Sequence, residues 1–124
     1  MIVIFGGAYQ GKTDFAIQHF SLKNNDICDC KIPDIDIDKK CINNFNEFIL
    51  KNIQKGIDPI DYVLNNLPSF KDKIIICEDV SCGLVPLDRE ARLFRDNTGK
   101  IMQLLCRNSN EVYRVFCGIA ERIK

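Results

Sequence analysis

The sequence predicts an α/β domain of three layers built on a small, mainly parallel sheet, and three observations carry that prediction. The apolar run Met1-Ile2-Val3-Ile4-Phe5 leads directly into Gly6-Gly7-Ala8-Tyr9-Gln10-Gly11-Lys12-Thr13, which fits G-x-x-x-x-G-K-[ST] and opens a helix-compatible segment. A second apolar run, Lys73-Ile74-Ile75-Ile76-Cys77, ends in the carboxylates Glu78 and Asp79. Strand-like and helix-like stretches alternate along the chain, as a parallel sheet with crossover helices requires. Together they give a P-loop NTPase-like organisation, read as one nucleotide-binding domain over residues 1–124 with a helical insert at about 42–68.

Residues 1–5 are continuous in apolar character, the pattern of a strand buried on both faces. In the loop that follows, Gly6 and Gly11 permit the tight turn, and the amides of Gly7, Ala8, Tyr9 and Gln10 turn toward phosphate oxygens. Lys12 is placed to reach the β- and γ-phosphates, and Thr13 carries a hydroxyl where such loops ligate Mg²⁺. A helix is expected from Lys12 to about Lys23, with Phe15, Ala16 and Phe20 inward. His19, the only histidine, falls on it and is read as structural or solvated, with acid–base chemistry as the alternative.

Ile27-Cys28-Asp29-Cys30-Lys31-Ile32 is a second strand candidate ahead of Pro33. Cys28 and Cys30 read as small apolar fillers, or else as part of a metal site. In Asp34-Ile35-Asp36-Ile37-Asp38 the alternation aligns three carboxylates; Lys39 and Lys40 follow at once, which favours a solvated edge or loop over a cation site. Ile42, Phe45, Phe48, Ile49 and Ile53 recur at helical spacing and predict an amphipathic helix closing near Gly56. Asp58-Pro59 reads as a cap followed by proline at the first helical position, starting a helix with Ile60, Val63, Leu64 and Leu67 on one face and Pro68 as its stop.

The strand at 73–79 delivers Glu78 and Asp79 beside the loop, where an acidic residue serves the Mg²⁺ shell or the substrate. Residues 80–87 form a loop with Gly83 and Pro86, and Asp88 caps a long helix whose core stripe is Ala91, Phe94, Thr98, Ile101 and Leu105. Arg89, Arg92 and Arg95 lie opposite, either clamping phosphates or simply solvated. Asn108-Ser109-Asn110 ends the helix, Glu111 to Cys117 is the last strand, and a short tail begins at Gly118.

Composition narrows the function classes. The formal net charge is +0, which argues against a nucleic-acid or membrane-surface binder. No apolar run approaches a membrane span, and the N-terminal run has neither the length nor the charge of a leader, so a cytoplasmic location is expected. The seven cysteines show no paired C-x-x-C spacing, which points to reduced thiols.

The run from Asp79 through Pro86, then Arg89, Ala91-Arg92, Phe94-Arg95-Asp96, Gly99, Gln103, Glu111-Val112-Tyr113 and Gly118-Ile119, resembles the C-terminal half of the bifunctional adenosylcobinamide kinase/adenosylcobinamide-phosphate guanylyltransferase family. The loop from Gly6 to Thr13 is similar to that family's G-G-x-x-S-G-K-S. The resemblance covers residues 1–20 and 74–124 and describes a shortened, divergent member. It implies a transferase of cobalamin biosynthesis, with Mg²⁺ as cofactor, ATP or GTP as substrate, adenosylcobinamide as acceptor and a homo-oligomeric assembly. By the same carry-over, Lys12 and Asp79 are catalytic. Gly6 to Thr13, with Arg92 and Arg95, bind nucleotide, and Thr13, Glu78 and Asp79 hold the metal. The family's guanylyl-accepting histidine segment and its intermediate acidic strand find no counterpart between Asn24 and Lys73, so the alternative is a nucleotide-binding relative without catalysis.

Overall fold

The computed structural model describes residues 1–33, 35–80 and 87–124. The predicted roles of Asp34, Cys82, Gly83 and Pro86 therefore lie outside the described residues. A six-stranded sheet runs in the order β2-β3-β4-β1-β5-β6. Its strands are β1 (Ile2–Gly6), β2 (Ile27–Asp29), β3 (Cys41–Asn43), β4 (Ile74–Glu78), β5 (Glu111–Phe116) and β6 (Ile119–Arg122). All neighbours pair parallel except β5 and β6, which form an antiparallel hairpin. The sheet is thus mainly parallel, as its near-continuous apolar strands require.

The helices are α1 (Lys12–Phe20), α2 (Phe45–Gln54), α3 (Pro59–Asn66) and α4 (Arg89–Asn108). Strand alternation sends Ile4, Ile74, Ile76, Tyr113 and Val115 to the face covered by Ala16 of α1. Val3, Ile75, Cys77 and Val112 point to the other face, against Phe45 and Ile49 of α2, Val63 of α3, and Ile101 and Leu105 of α4. Among the described residues, one helix on one face and three on the other make the three layers.

Four local expectations change. Ile42 lies in a strand, not at the head of a helix: Cys41, Ile42 and Asn43 are all buried between β2 and β4. Asn44, at a left-handed φ of 56°, turns the chain into α2. The residues after Gly118 are a strand, not a tail. Cys117 (φ 50°) and Gly118 (φ 76°) are both left-handed, and Phe116 faces Ile119 across them, the geometry of a two-residue hairpin turn. Helix α1 stops at Phe20 because Ser21 turns left-handed (φ 52°), and its N–H donates to the Ile17 carbonyl. In α3, Val63 is fully buried while Leu64 is exposed, so the apolar face is narrower than its spacing suggested.

Helix α4 follows its expected stripe, with Thr98, Ile101 and Leu105 buried. It carries two features that act against its stability. Gly99 stands in the interior of a 20-residue helix, where glycine costs about 1 kcal/mol relative to alanine. Among the described residues, the hydroxyl of Thr98 is buried without a hydrogen-bond partner, a desolvation cost on the order of 1–3 kcal/mol.

Candidate functional site

The glycine-rich loop at residues 6–13 is shaped by what surrounds it. Gly6 ends β1 so close to β5 that a Cβ would lie 2.3 Å from the Val115 carbonyl oxygen, so no side chain fits. Tyr9 and Gly11 adopt left-handed backbone, φ 56° and 91°. Gln10 is held from both sides by the hairpin turn: the Gly118 N–H donates to its carbonyl at 2.9 Å, and the Cys117 N–H donates to its Oε1 at 2.6 Å.

Helix α1 begins at Gly11 without a side-chain cap, whereas α3 and α4 are capped by Asp58 and Asp88. The first-turn amides of α1 and its positive dipole end face an open cavity of about 510 Å³. Residues Ala8 through Asp14 form its loop side, and Lys31, Asn44 and Glu78 close it from the sheet. Lys12 Nζ donates to the Gly7 carbonyl at 2.6 Å, folded onto its own loop. Partial burial pushes the Lys12 ammonium below its ordinary pKa, and the charge of Glu78 opposes that shift.

Thr13 Oγ1 donates to Asn43 Oδ1 at 3.2 Å. The Asn44 N–H donates to the same oxygen at 2.9 Å, and Asn44 Nδ2 donates to Asp29 Oδ1 at 2.8 Å. The short strand β3, absent from the sequence reading, therefore carries the residue that positions Thr13. Sequence reasoning also missed Lys31 and Asn44 as cavity residues. The clue available was Asn43-Asn44 directly before an apolar helix, a polar pair suited to a strand-to-helix turn.

The strand-end carboxylates separate. Glu78 borders the phosphate-loop cavity, its N–H fixed by Asn46 Oδ1 at 3.1 Å. The Asp79 N–H donates to the Gly6 carbonyl at 2.8 Å, and Asp79 borders a neighbouring cleft of about 420 Å³ under α4. Glu78 borders both spaces. Arg92 is exposed and Arg95 half-buried on α4, and neither is among the residues lining the loop cavity. His19 sits in an aromatic cluster, its ring 5.0 Å from Phe15 and 5.6 Å from Tyr113, which is the structural role.

Among the described residues, no three His, Cys, Asp or Glu side chains converge on a metal-sized site. Cys30 and Cys41 are fully buried with thiols pushed up to about 12 by burial, the apolar filler role. The loop cavity offers oxygen donors, Thr13 and Glu78. That set fits Mg²⁺, which takes one or two protein oxygens and fills its remaining positions with phosphate and water.

The sequence model of the family described as Cobinamide kinase / cobinamide phosphate guanyltransferase matches residues 36–123. The chain belongs to this family. The match reaches back to residue 36, across β3, α2 and α3, and does not include the loop at residues 6–13. The bifunctional adenosylcobalamin biosynthesis protein CobU of Escherichia coli (strain K12) is 41% identical over 51 residues, covering 41% of this chain and 28% of that protein. Its counterpart in Salmonella typhimurium is 39% identical over 51 residues, with the same coverage. The chain thus spans less than a third of the curated relatives it matches. Like other members of the cobinamide kinase / cobinamide phosphate guanyltransferase family it has a P-loop NTPase-like α/β fold, and among its described residues no helix is long and apolar enough to cross a membrane.

Proposed function

We propose that this chain binds a purine nucleoside triphosphate with Mg²⁺ and transfers its terminal phosphoryl group to a hydroxyl of a cobinamide-type acceptor. The observation that carries the reading is the convergence, around one cavity, of an uncapped helix N-terminus, Lys12, Thr13 and Glu78. The loop amides take the phosphate oxygens, and Lys12 swings from Gly7 to the β- and γ-phosphates. Thr13 and Glu78 hold Mg²⁺, directly or through water, and the ion supplies neutralisation of phosphate charge. Asp79, one residue beyond, orients the acceptor hydroxyl. As the acceptor oxygen bonds to phosphorus and the bond to the β-phosphate breaks, the hydroxyl proton passes to a carboxylate and then to solvent. Arg92 and Arg95, near the N-terminal end of α4, serve the triphosphate from that helix. Guanylyl transfer is left out of this reading, because His19, the chain's single histidine, is held among aromatic rings outside the cavity.

Calorimetric titration with ATP and GTP, with and without Mg²⁺, followed by assay for phosphorylated adenosylcobinamide, tests the reading. Mg²⁺-dependent binding and product are expected. In Lys12→Ala, nucleotide affinity should fall roughly 10- to 100-fold, the worth of charge-assisted contacts to phosphate. Unchanged affinity in that variant would remove the phosphate site, and binding without product would reduce the chain to a nucleotide-binding relative.

A further inference from the structure

At Gly11 the glycine-rich loop turns left-handed on a residue that adopts such backbone freely (φ 91°). At Tyr9 (φ 56°) it does so on a bulky aromatic residue, for which that region is an outlier. The packing of the chain offers no reason for the ring. Tyr9 is fully exposed, at 105%, so its apolar faces stand in solvent. Its backbone is nonetheless fixed on both flanks. The Gly7 carbonyl accepts from Lys12 Nζ, and Gln10 is gripped by the N–H groups of Cys117 and Gly118. A loop held in this way presents the ring in a set place, and that place borders the loop cavity. Backbone strain at a binding loop is found where it aims a group at a ligand.

We propose that the Tyr9 ring is the platform on which the base of a bound nucleotide stacks. Lys12 and Thr13 draw the β- and γ-phosphates toward Glu78, so the nucleoside leaves through the open side of the cavity, where the exposed ring stands. A flat aromatic face accepts the π-face of any base, and a purine overlaps it more fully than a pyrimidine does. The ring loses its water only when the base arrives, which is why nothing in the chain covers it. This deepens the nucleotide-binding part of the kinase reading and rests on it: the loop amides and Lys12 hold the triphosphate, and Tyr9 adds affinity from the other end. Stacking reads no base edge, so Tyr9 favours purines without choosing between adenine and guanine.

The test is nuclear magnetic resonance of the full chain with its three tyrosines isotope-labelled, alongside calorimetry. The ligands are non-hydrolysable ATP and GTP analogues and inorganic tripolyphosphate, each with Mg²⁺, and Tyr9→Phe assigns the Tyr9 signal. Both nucleotides should move the Tyr9 ring protons upfield, as stacking does, and tripolyphosphate should leave them in place. Tyr9→Gly suits the left-handed backbone and should keep the wild-type urea midpoint and tripolyphosphate affinity. It should bind both nucleotides about 5- to 10-fold more weakly, whereas Tyr9→Phe should stay within about twofold of the wild type. The proposal is overturned if Tyr9→Gly binds nucleotide as the wild type does, or if it loses tripolyphosphate affinity by the same factor, which would make Tyr9 a brace of the loop. It is equally overturned if cobinamide, and not nucleotide, shifts the Tyr9 ring. A wild type that binds neither tripolyphosphate nor nucleotide would instead remove the phosphate site itself, and the platform with it.

Discussion

The Thr13 hydroxyl donates to Asn43 Oδ1 across a gap of thirty residues in sequence, at 3.2 Å. The Asn44 N–H on the same oxygen fixes which way the amide points. The hydroxyl proton is thereby committed to β3, which leaves the Thr13 oxygen lone pairs free for the proposed Mg²⁺. Asn43→Ala should cost on the order of 3- to 10-fold in Mg²⁺-dependent nucleotide affinity and little without Mg²⁺. Calorimetry in both conditions checks this, and equal losses would mean that Asn43 only braces the loop.

Gly6→Ala places a methyl group 2.3 Å from the Val115 carbonyl oxygen. The obstacle is backbone of the neighbouring central strand and cannot turn aside. The expected loss is on the order of 3 kcal/mol, read as a lower midpoint in urea unfolding. A wild-type midpoint would show that β1 and β5 separate at no cost.

Burial pushes the thiols of Cys30, Cys41 and Cys77 up to about 12. The unfolded chain releases these protons from about pH 9, while the folded chain holds them to about 12. In that window the unfolded state binds fewer protons, so stability falls as pH rises. Urea midpoints should therefore decline steadily above pH 9. At pH 8 iodoacetamide should label the exposed Cys117 well before these three, read by peptide mass spectrometry.

Asp58 accepts from the N–H groups of Ile60 at 2.9 Å and Asp61 at 3.4 Å. Asp58→Ala should lower stability by about 1 kcal/mol and Asp58→Asn by less, measurable by thermal unfolding.

That cap is one of the features legible in the sequence, because Asp58-Pro59 acts through local backbone chemistry alone. The strand-loop-helix unit from β1 through residues 6–13 to α1 was legible for the same reason: its glycines, Lys12 and Thr13 are contiguous, and β1 before it is uniformly apolar. Strand β3 was not. Three residues buried on both faces show no alternation, and Ile42 stands three and seven positions before Phe45 and Ile49, a spacing that mimics the continuation of their helix. Strand β6 was hidden because its Ile119-Ala120-Glu121-Arg122 shows no apolar alternation and Ile119 remains exposed. That Glu78 borders both spaces and Asp79 only the cleft under α4 depends on the pleat of β4 and on where α4 lies. Neighbouring carboxylates in sequence carry no sign of that separation.

The placement of β1 between β4 and β5 has a consequence for the order of assembly. Ile2 pairs with Ile74 on one side and Glu111 on the other, so both partners of β1 lie far downstream of it in sequence. Contacts so distant in sequence make for slow folding. Gly6 rests against Val115, and Gln10 is held by Cys117 and Gly118. The loop at residues 6–13 thus takes its final shape only once β5 and the turn after it are in place, so the onset of nucleotide binding during refolding would serve as a clock for closure of that side of the sheet.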